Sequence, residues 1–237
     1  MNDIDVLTTS ASRFYCLKPV IESLQKNIHY TLGSFRHVLH EDVFDRDDSD
    51  KIIQFAQNNN FAEIKVDDPS VGQGPSVGWI LTQIQSDYFL YWEDDWELIK
   101  PIDLDAIINL METHRNINQI SFHKRTIGAT NTWFNKKTIT LNGIDLTTSM
   151  HWTFPPAIWR YDFIKKYIQN YTGGLPEWQL CSAIKGHGKE SQWDADKVMR
   201  ESGTYFLGKI GEGHYVKCLS IGDSKRKGET RPKGKEN

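Results

Sequence analysis

Three consecutive carboxylates, Glu93, Asp94 and Asp95, follow directly on the apolar run Tyr88-Phe89-Leu90-Tyr91-Trp92, with Trp96 behind them. Adjacent like charges repel, and a hard divalent cation with oxygen ligands relieves that repulsion. An apolar run of this kind predicts a strand buried on both faces, as in a parallel sheet covered by helices. Unpaired carboxylates are costly to bury. The strand is therefore expected to end at Glu93 and to deliver the acids to the carboxyl edge of the sheet, where open α/β sheets bind their ligands. The same residues would otherwise form a solvated acidic turn.

The elements that must position this stretch alternate along the chain. Ile4 to Leu7 predicts a strand, with the polar loop Thr8 to Arg13 behind it. Leu17, Ile21, Leu24 and Ile28 recur at helical spacing, with Pro19 placed in the first turn. His37 to Leu39 predicts a second strand, ending at His40-Glu41-Asp42, and a short helix carries Ile52, Ile53 and Ala56 up to an Asn58-Asn59-Asn60 stop. Ala62, Ile64 and Val66 alternate as a third strand. The loop Asp67 to Pro75 then leads to a helix with Val77, Ile80, Leu81 and Ile84 on one face, ahead of the acidic strand. Leu104, Ile107, Ile108 and Met111 mark a helix capped by Asp103, and Ile120 and Phe122 a fifth strand. Asn142-Gly143 between two alternating runs predicts a hairpin. An extended His151 to Pro156 segment, a helix near Tyr161 to Ile168 and a helix starting at about Glu177 complete the pattern. Repeated βα units with short connections predict an α/β fold with a mostly parallel, doubly wound central sheet flanked by helices, and a small β-hairpin in the C-terminal half.

The chain has 237 residues, enough for one α/β domain of ordinary size. We expect a single domain over 1–223, with a nucleotide-binding half to about residue 125 and an acceptor half beyond it. From Ser224 onward six basic residues face two acids, whereas the formal total is −3. The tail 224–237 is therefore expected to be basic and disordered, and the body acidic, which argues against nucleic acid as the main partner. Cys16, Cys181 and Cys218 have no metal-ligand spacing and read as reduced thiols. No apolar run reaches membrane-spanning length, so no integral membrane segment is expected, and the polar start does not read as a signal peptide. The expected compartment is the cytoplasm. Eight Trp are many for a chain of this size, and Trp152, Trp159 and Trp178 are candidates to stack on sugar faces or to fill the core.

The order of these motifs resembles the GT-A fold of nucleotide-sugar glycosyltransferases, in particular the family 2-like group. Glu93-Asp94-Asp95 resembles that family's Asp-x-Asp-type motif, here with Glu first, and His40-Glu41-Asp42 its acidic end of strand two, which contacts the nucleoside. Gly72-Gln73-Gly74-Pro75-Ser76 is similar to the family's small-residue turn, Met150 to Pro156 to its aromatic, Pro-containing segment, and Gly174-Leu175-Pro176-Glu177 to the segment that supplies a catalytic carboxylate. The matches run from about residue 3 to 223. One departure is that relatives carry a metal-binding His before a terminal Ile-Gly, where this chain has Ser220 before Ile221-Gly222; His214 is the nearby substitute, or else an ordinary surface or core histidine.

The resemblance implies a metal-dependent transferase that moves a sugar from a nucleoside-diphosphate donor of UDP or GDP type to a glycan or other acceptor, with inversion. A divalent cation, Mn²⁺ or Mg²⁺, would suit the departing diphosphate. The implied metal ligands are Asp95, Glu93 and His214. The implied nucleotide contacts are Thr8, Thr9, Ser10, Arg13, Glu41, Asp42, Gly74, Ser76 and Asp94, with Thr8 to Arg13 alternatively a helix cap and a surface arginine. Glu177 would accept the acceptor proton, or is an ordinary first-turn glutamate. Lys124 and Arg125 would neutralise the diphosphate or merely solvate the edge. Two other readings stay open: a nucleotidyltransferase, although the first loop lacks glycine, and a non-catalytic sugar- or nucleotide-binding module.

Overall fold

The computed structural model describes residues 3–123, 137–148, 154–176, 179–180, 183 and 202–220. The first half holds β1 (Ile4–Ser10), α1 (Phe14–Asn27), β2 (Ile28–His29), β3 (Phe35–Asp42), α2 (Arg46–Asn58), β4 (Glu63–Asp67), α3 (Gln73–Leu81) and β5 (Tyr88–Glu93). After it come β6 (Trp96–Leu98), β7 (Ile102–Asp103), α4 (Leu104–Thr113), β8 (Gln119–Ser121), β9 (Thr138–Leu141), β10 (Ile144–Thr148), β11 (Ala157–Arg160), α5 (Tyr161–Ile168), β12 (Thr204–Leu207) and β13 (Val216–Cys218).

Nine of these strands form one sheet in the order β4-β3-β1-β5-β11-β8-β12-β10-β9. The N-terminal half is parallel throughout, as the βα alternation predicts. The C-terminal half is mixed. Strand β11 is inserted antiparallel between β5 and β8, and β10 pairs antiparallel with both β12 and β9. Strand β5 is buried on both faces as expected, yet only one of its two neighbours is parallel to it. Burial here comes from helices on both faces, not from strand direction.

Each face of the sheet has its own core. Ile4, Val6, Leu39, Leu90 and Trp92 pack with Val20 and Ile21 of α1, Ile52 of α2 and Ile107 of α4. Leu7, Val38, Phe89 and Tyr91 face the other way, against Val77 and Ile80 of α3 and Ile164 of α5. This period of two is what divides the acids at the end of β5. The Asn142-Gly143 hairpin forms as predicted, with both residues at positive φ, 49° and 80°. Asp103 caps α4 by accepting from the Ala106 N–H at 2.9 Å. Pro19, in contrast, lies in the interior of α1 and not its first turn, because the helix already begins at Phe14.

Candidate functional site: an acidic turn clasped by an arginine

The turn between β5 and β6 is stapled by its two tryptophans. The Trp92 indole N–H donates to the Trp96 carbonyl at 2.6 Å, and the Trp96 indole N–H donates to Glu93 Oε2 at 3.0 Å. The backbone N–H of Asp94 donates to the Thr9 carbonyl at 3.0 Å, so β1 still holds the chain one residue beyond β5. From the far end of the protein, the N–H of Leu219, just past β13, donates to the Asp95 carbonyl at 2.7 Å.

The three acids point to three places. Glu93 keeps the face of Tyr91 and meets α3, where Gln73 Nε2 donates to its Oε1 at 3.1 Å. Burial, followed by repulsion from Asp95, pushes the Glu93 carboxyl up to about 7, against the Trp96 hydrogen bond. Asp94 keeps the face of Trp92 and meets the loop before α1. Asp95 turns towards β13, and Ser220 Oγ donates to its Oδ2 at 2.5 Å. The edge placement was expected, but not the burial: Asp94 is wholly buried and Asp95 only 8% exposed.

Arg13 makes that burial possible. Its Nη2 contacts Asp94 Oδ1, its Nε donates to Asp94 Oδ2 at 3.1 Å and its Nη1 donates to Asp95 Oδ2 at 2.9 Å. Ser10 Oγ and the Ala11 N–H also donate to Asp94 Oδ2, each at 3.1 Å. A planar fork of donors fits two carboxylates in this way, and the charge-assisted bonds replace lost water. Burial pulls the guanidinium pKa down, but Asp94 and then Asp95 more than reverse this and hold Arg13 charged. Arg13 is thus neither a surface arginine nor a side-chain helix cap.

The remaining nucleotide candidates are distributed differently from expectation. Thr8, Thr9 and Ser10 belong to β1 and not to a loop; Thr8 is buried, and the Thr9 hydroxyl pairs with the Tyr91 hydroxyl at 3.3 Å. Glu41 is fully buried and organises the loops around it. Its Oε1 accepts from the Ser12 N–H at 2.9 Å, from Ser12 Oγ at 3.1 Å and from Ser49 Oγ. Burial raises the Glu41 carboxyl and the Ser49 bond opposes it. Asp42 accepts from Ser70 Oγ, the Val71 N–H and the Gly72 N–H at 2.7, 2.7 and 3.0 Å, so it fixes the loop ahead of α3. Beside these acids, exposed Phe44 and Val71 present apolar surface at the same edge, a feature that spacing alone could not single out.

Gly74 and Ser76 shape the start of α3. Ser76 Oγ donates to the Gly72 carbonyl at 2.8 Å, and Gly72 itself has φ of 83°. A Cβ on Gly74 would lie 2.0 Å from the Gly173 carbonyl oxygen, so only glycine lets the 173–174 segment pack there. Tyr171 Oη bridges the Gly74 and Gly174 carbonyls at 2.9 and 2.6 Å. The segment ending at Pro176 therefore lies on the helix turn whose Gln73 holds Glu93.

Other candidates stand elsewhere. His214 stacks on His123 with centroids 4.6 Å apart, and His123 packs on Trp96 at 4.5 Å. A row of rings thus links His214 to the acidic turn, and the described residues contain no group of three or more His, Cys, Asp or Glu able to hold a metal ion. Trp159 is fully buried against Phe89, Tyr91 and Phe154, which makes it core and not a sugar platform. Lys124, Arg125, Trp152, Glu177, Trp178 and the tail from Ser224 lie outside the described residues. No helix among the described residues is long and apolar enough to cross a membrane.

No family model and no curated protein sequence matches the chain. Solved structures do. The structure of S. aureus TarS 1–349 in complex with UDP superposes with a TM-score of 0.54 at 16% identity, over 90% of this chain and 59% of that one. A mannosyltransferase, PcManGT from Pyrobaculum calidifontis, in complex with GDP-Man and Mn²⁺, gives 0.55 at 8% identity, over 89% of this chain and 58% of that one. GalNAc-T7 with UDP, GalNAc and Mn²⁺ gives 0.56 at 9% identity, over 86% of this chain and 42% of that one. The chain spans less than two thirds of the length of each of these neighbours. At such identities the likeness is one of architecture: the chain has the GT-A-type α/β fold of nucleotide-sugar glycosyltransferases.

Proposed function

We propose that the chain transfers a sugar from a nucleoside-diphosphate donor, of UDP or GDP type, to a hydroxyl of a glycan or other acceptor. The observation that carries this reading is the acidic turn itself. A core strand delivers three carboxylates to the carboxyl edge of the sheet, and one guanidinium leaves them with surplus negative charge. A diphosphate alone would be repelled there. The donor set fits a divalent cation that takes one or two carboxylates and completes its shell with phosphate oxygens and water. Asp95 would hold it, with the Ser220 hydroxyl beside Asp95, and Glu93, which the structure turns towards Gln73 of α3, is the second candidate ligand. When bound, Mn²⁺ or Mg²⁺ supplies positive charge to the departing diphosphate.

The protein's own groups do the rest. Asp42 fixes the 70–72 loop, and the nucleoside is placed against that loop and Phe44. The acceptor oxygen attacks the anomeric carbon as the bond to the diphosphate oxygen breaks, and the acceptor proton passes to a carboxylate. We assign that base to Glu177, which follows the 171–176 segment packed on the first turn of α3. Attack opposite the leaving group inverts the anomeric centre.

One observation favours a second reading, a non-catalytic nucleotide- or sugar-binding module: Arg13 already pairs with two of the three acids and offsets part of their charge. A thermal-shift screen of nucleoside diphosphates and nucleotide sugars, with and without Mn²⁺, on wild type and Asp95→Ala tests both. A ligand at a hundred times its Kd adds about 2.7 kcal/mol, or several degrees in Tm for a domain of this size. A metal-dependent shift lost in Asp95→Ala, with release of free nucleoside diphosphate, supports transfer; the shift without release supports the module. No shift with any nucleotide at millimolar concentration removes both.

A further inference from the structure

Arg13 does not treat its two carboxylates alike. Asp94 is completely buried and is gripped by Nε and Nη2 of Arg13, by Ser10 Oγ and by the Ala11 N–H. No face of it is open to an ion. The Asp95 side chain is 12% exposed and receives from the guanidinium only the single Nη1 bond at 2.9 Å. Asp94 therefore anchors the arginine, and Asp95 is the partner that can be exchanged.

We propose that Arg13 is a resident counter-ion: it keeps Asp95 from a lone divalent cation and releases it only when a diphosphate arrives to accept Nη1. The inference rests on the nucleotide-sugar reading above and goes beyond it by assigning the coupling between metal and nucleotide to one side chain. Without nucleotide, an ion on Asp95 Oδ1 sits beside a fixed positive charge, and an ion that also takes Oδ2, where Arg13 and Ser220 donate, must break the Nη1 bond and leave a desolvated N–H unpaired. It gains few protein ligands in return, since no cluster of three exists among the described residues. A diphosphate reverses each term. Its oxygens accept from the guanidinium fork in the geometry that arginine favours, and they supply the missing ligands to the ion. Two ion pairs, Arg13 with Asp95 and cation with diphosphate, become Arg13 with diphosphate and cation with Asp95, while Asp94 keeps the arginine in place. Metal and nucleotide then bind with positive, reciprocal coupling.

The test is Mn²⁺ binding to the full chain, followed by calorimetry and by the paramagnetic resonance of free Mn²⁺, alone and with saturating UDP or GDP. Mn²⁺ bound to nucleotide in solution is subtracted from both titrations. In wild type, Mn²⁺ affinity should rise about tenfold or more when the nucleoside diphosphate is bound, within the usual range of coupling energies. Arg13→Met should bind Mn²⁺ alone about tenfold more tightly than wild type, with the coupling largely lost. Arg13→Lys keeps the charge but cannot span both acids, so its affinity for lone Mn²⁺ should fall between the two. If Arg13→Met does not melt cooperatively, the comparison is read from Arg13→Lys and from the wild-type coupling. Equal wild-type affinity with and without nucleotide, or folded variants whose affinity for Mn²⁺ alone is unchanged, overturns the proposal. If no nucleoside diphosphate binds, the transferase reading fails, while the metal-only comparison still decides whether Arg13 withholds Asp95.

Discussion

The Ser220 hydroxyl donates to Asp95 across 125 residues of sequence, at 2.5 Å, and so ties the strand end after β13 to the acidic turn. The position where the family resemblance expects a metal-binding histidine thus does reach the acidic motif, but with a hydroxyl. Ser220→Ala removes a hydrogen bond to a charged group, which contributes about 1.5–3 kcal/mol in protein interiors. This bond is partly exposed, so we expect the lower end, and a Tm lower by about 2–6 °C for a chain of this length. Asp95 should also lose orientation. Calorimetric titration of Ser220→Ala should therefore show weaker binding of Mn²⁺ with nucleotide, whereas an unchanged affinity would mean that Ser220 only fastens the strand.

Glu41 looks like a ligand-binding acid in the sequence and behaves as a structural hub in the fold. Its carboxylate satisfies the Ser12 N–H and the hydroxyls of Ser12 and Ser49, and the Ser12 hydroxyl in turn accepts from the N–H groups of Phe44 and Asp45 at 2.9 and 3.0 Å. Glu41→Ala strands several buried polar groups at once, each costing about 1–3 kcal/mol when unsatisfied. We expect a loss of about 3 kcal/mol or more in urea unfolding, with Glu41→Gln much milder. A Glu41→Ala protein as stable as wild type but unable to bind nucleotide would return Glu41 to a direct contact.

The first half of the fold was legible because each unit carries its own period, and strands β1, β3, β4 and β5 fall where alternation placed them. Strand β11 was not, since Ala157 to Arg160 is a short apolar run after two prolines with no period of its own. Its antiparallel place between β5 and β8 is fixed by tertiary packing, including the buried Arg160, which donates to the Ile117 carbonyl at 3.3 Å. Within the site, the edge position of Glu93 to Asp95 followed from the core run before them. The division of labour among the three did not. It needs the pairing of β5 with β1, which aims Asp94 at Arg13, and the docking of β13, which brings Ser220 to Asp95. Both contacts are long-range, and no local spacing encodes them.

His37 gives a stability signature separate from the site. It packs between Phe35 and Phe61, at centroid distances of 6.2 and 5.0 Å, and burial lowers its pKa to about 4. A depressed folded-state value means that the unfolded chain binds the proton first as pH falls. The contribution of the neutral ring is fully present above about 6.5 and is lost as pH drops towards 4. Half-buried as His37 is, we expect about 2 kcal/mol between pH 7.5 and 4.5. Urea unfolding at the two pH values, for wild type and His37→Phe, isolates this from the carboxylates. Equal pH dependence in both proteins would show that His37 does not titrate abnormally.

Gly74 separates donor binding from turnover. The Cβ of Gly74→Ala would meet the Gly173 and Gly174 carbonyl oxygens at 2.0 and 2.7 Å, and backbone cannot step aside as a flexible side chain can. The 171–176 segment must shift, at an overpacking cost of about 1–3 kcal/mol. If Glu177 at its end is the base, a displacement of the order of 1 Å costs up to about 10²-fold in rate. The nucleoside contacts, placed on the 70–72 loop and Phe44, lie on the other side of Gly72 and keep their Asp42 anchor. Titration with nucleoside diphosphate should therefore give a Kd close to wild type while donor turnover collapses. A parallel loss of both would place the 173–174 segment on the donor side of the site and remove the support for Glu177 as the proton acceptor.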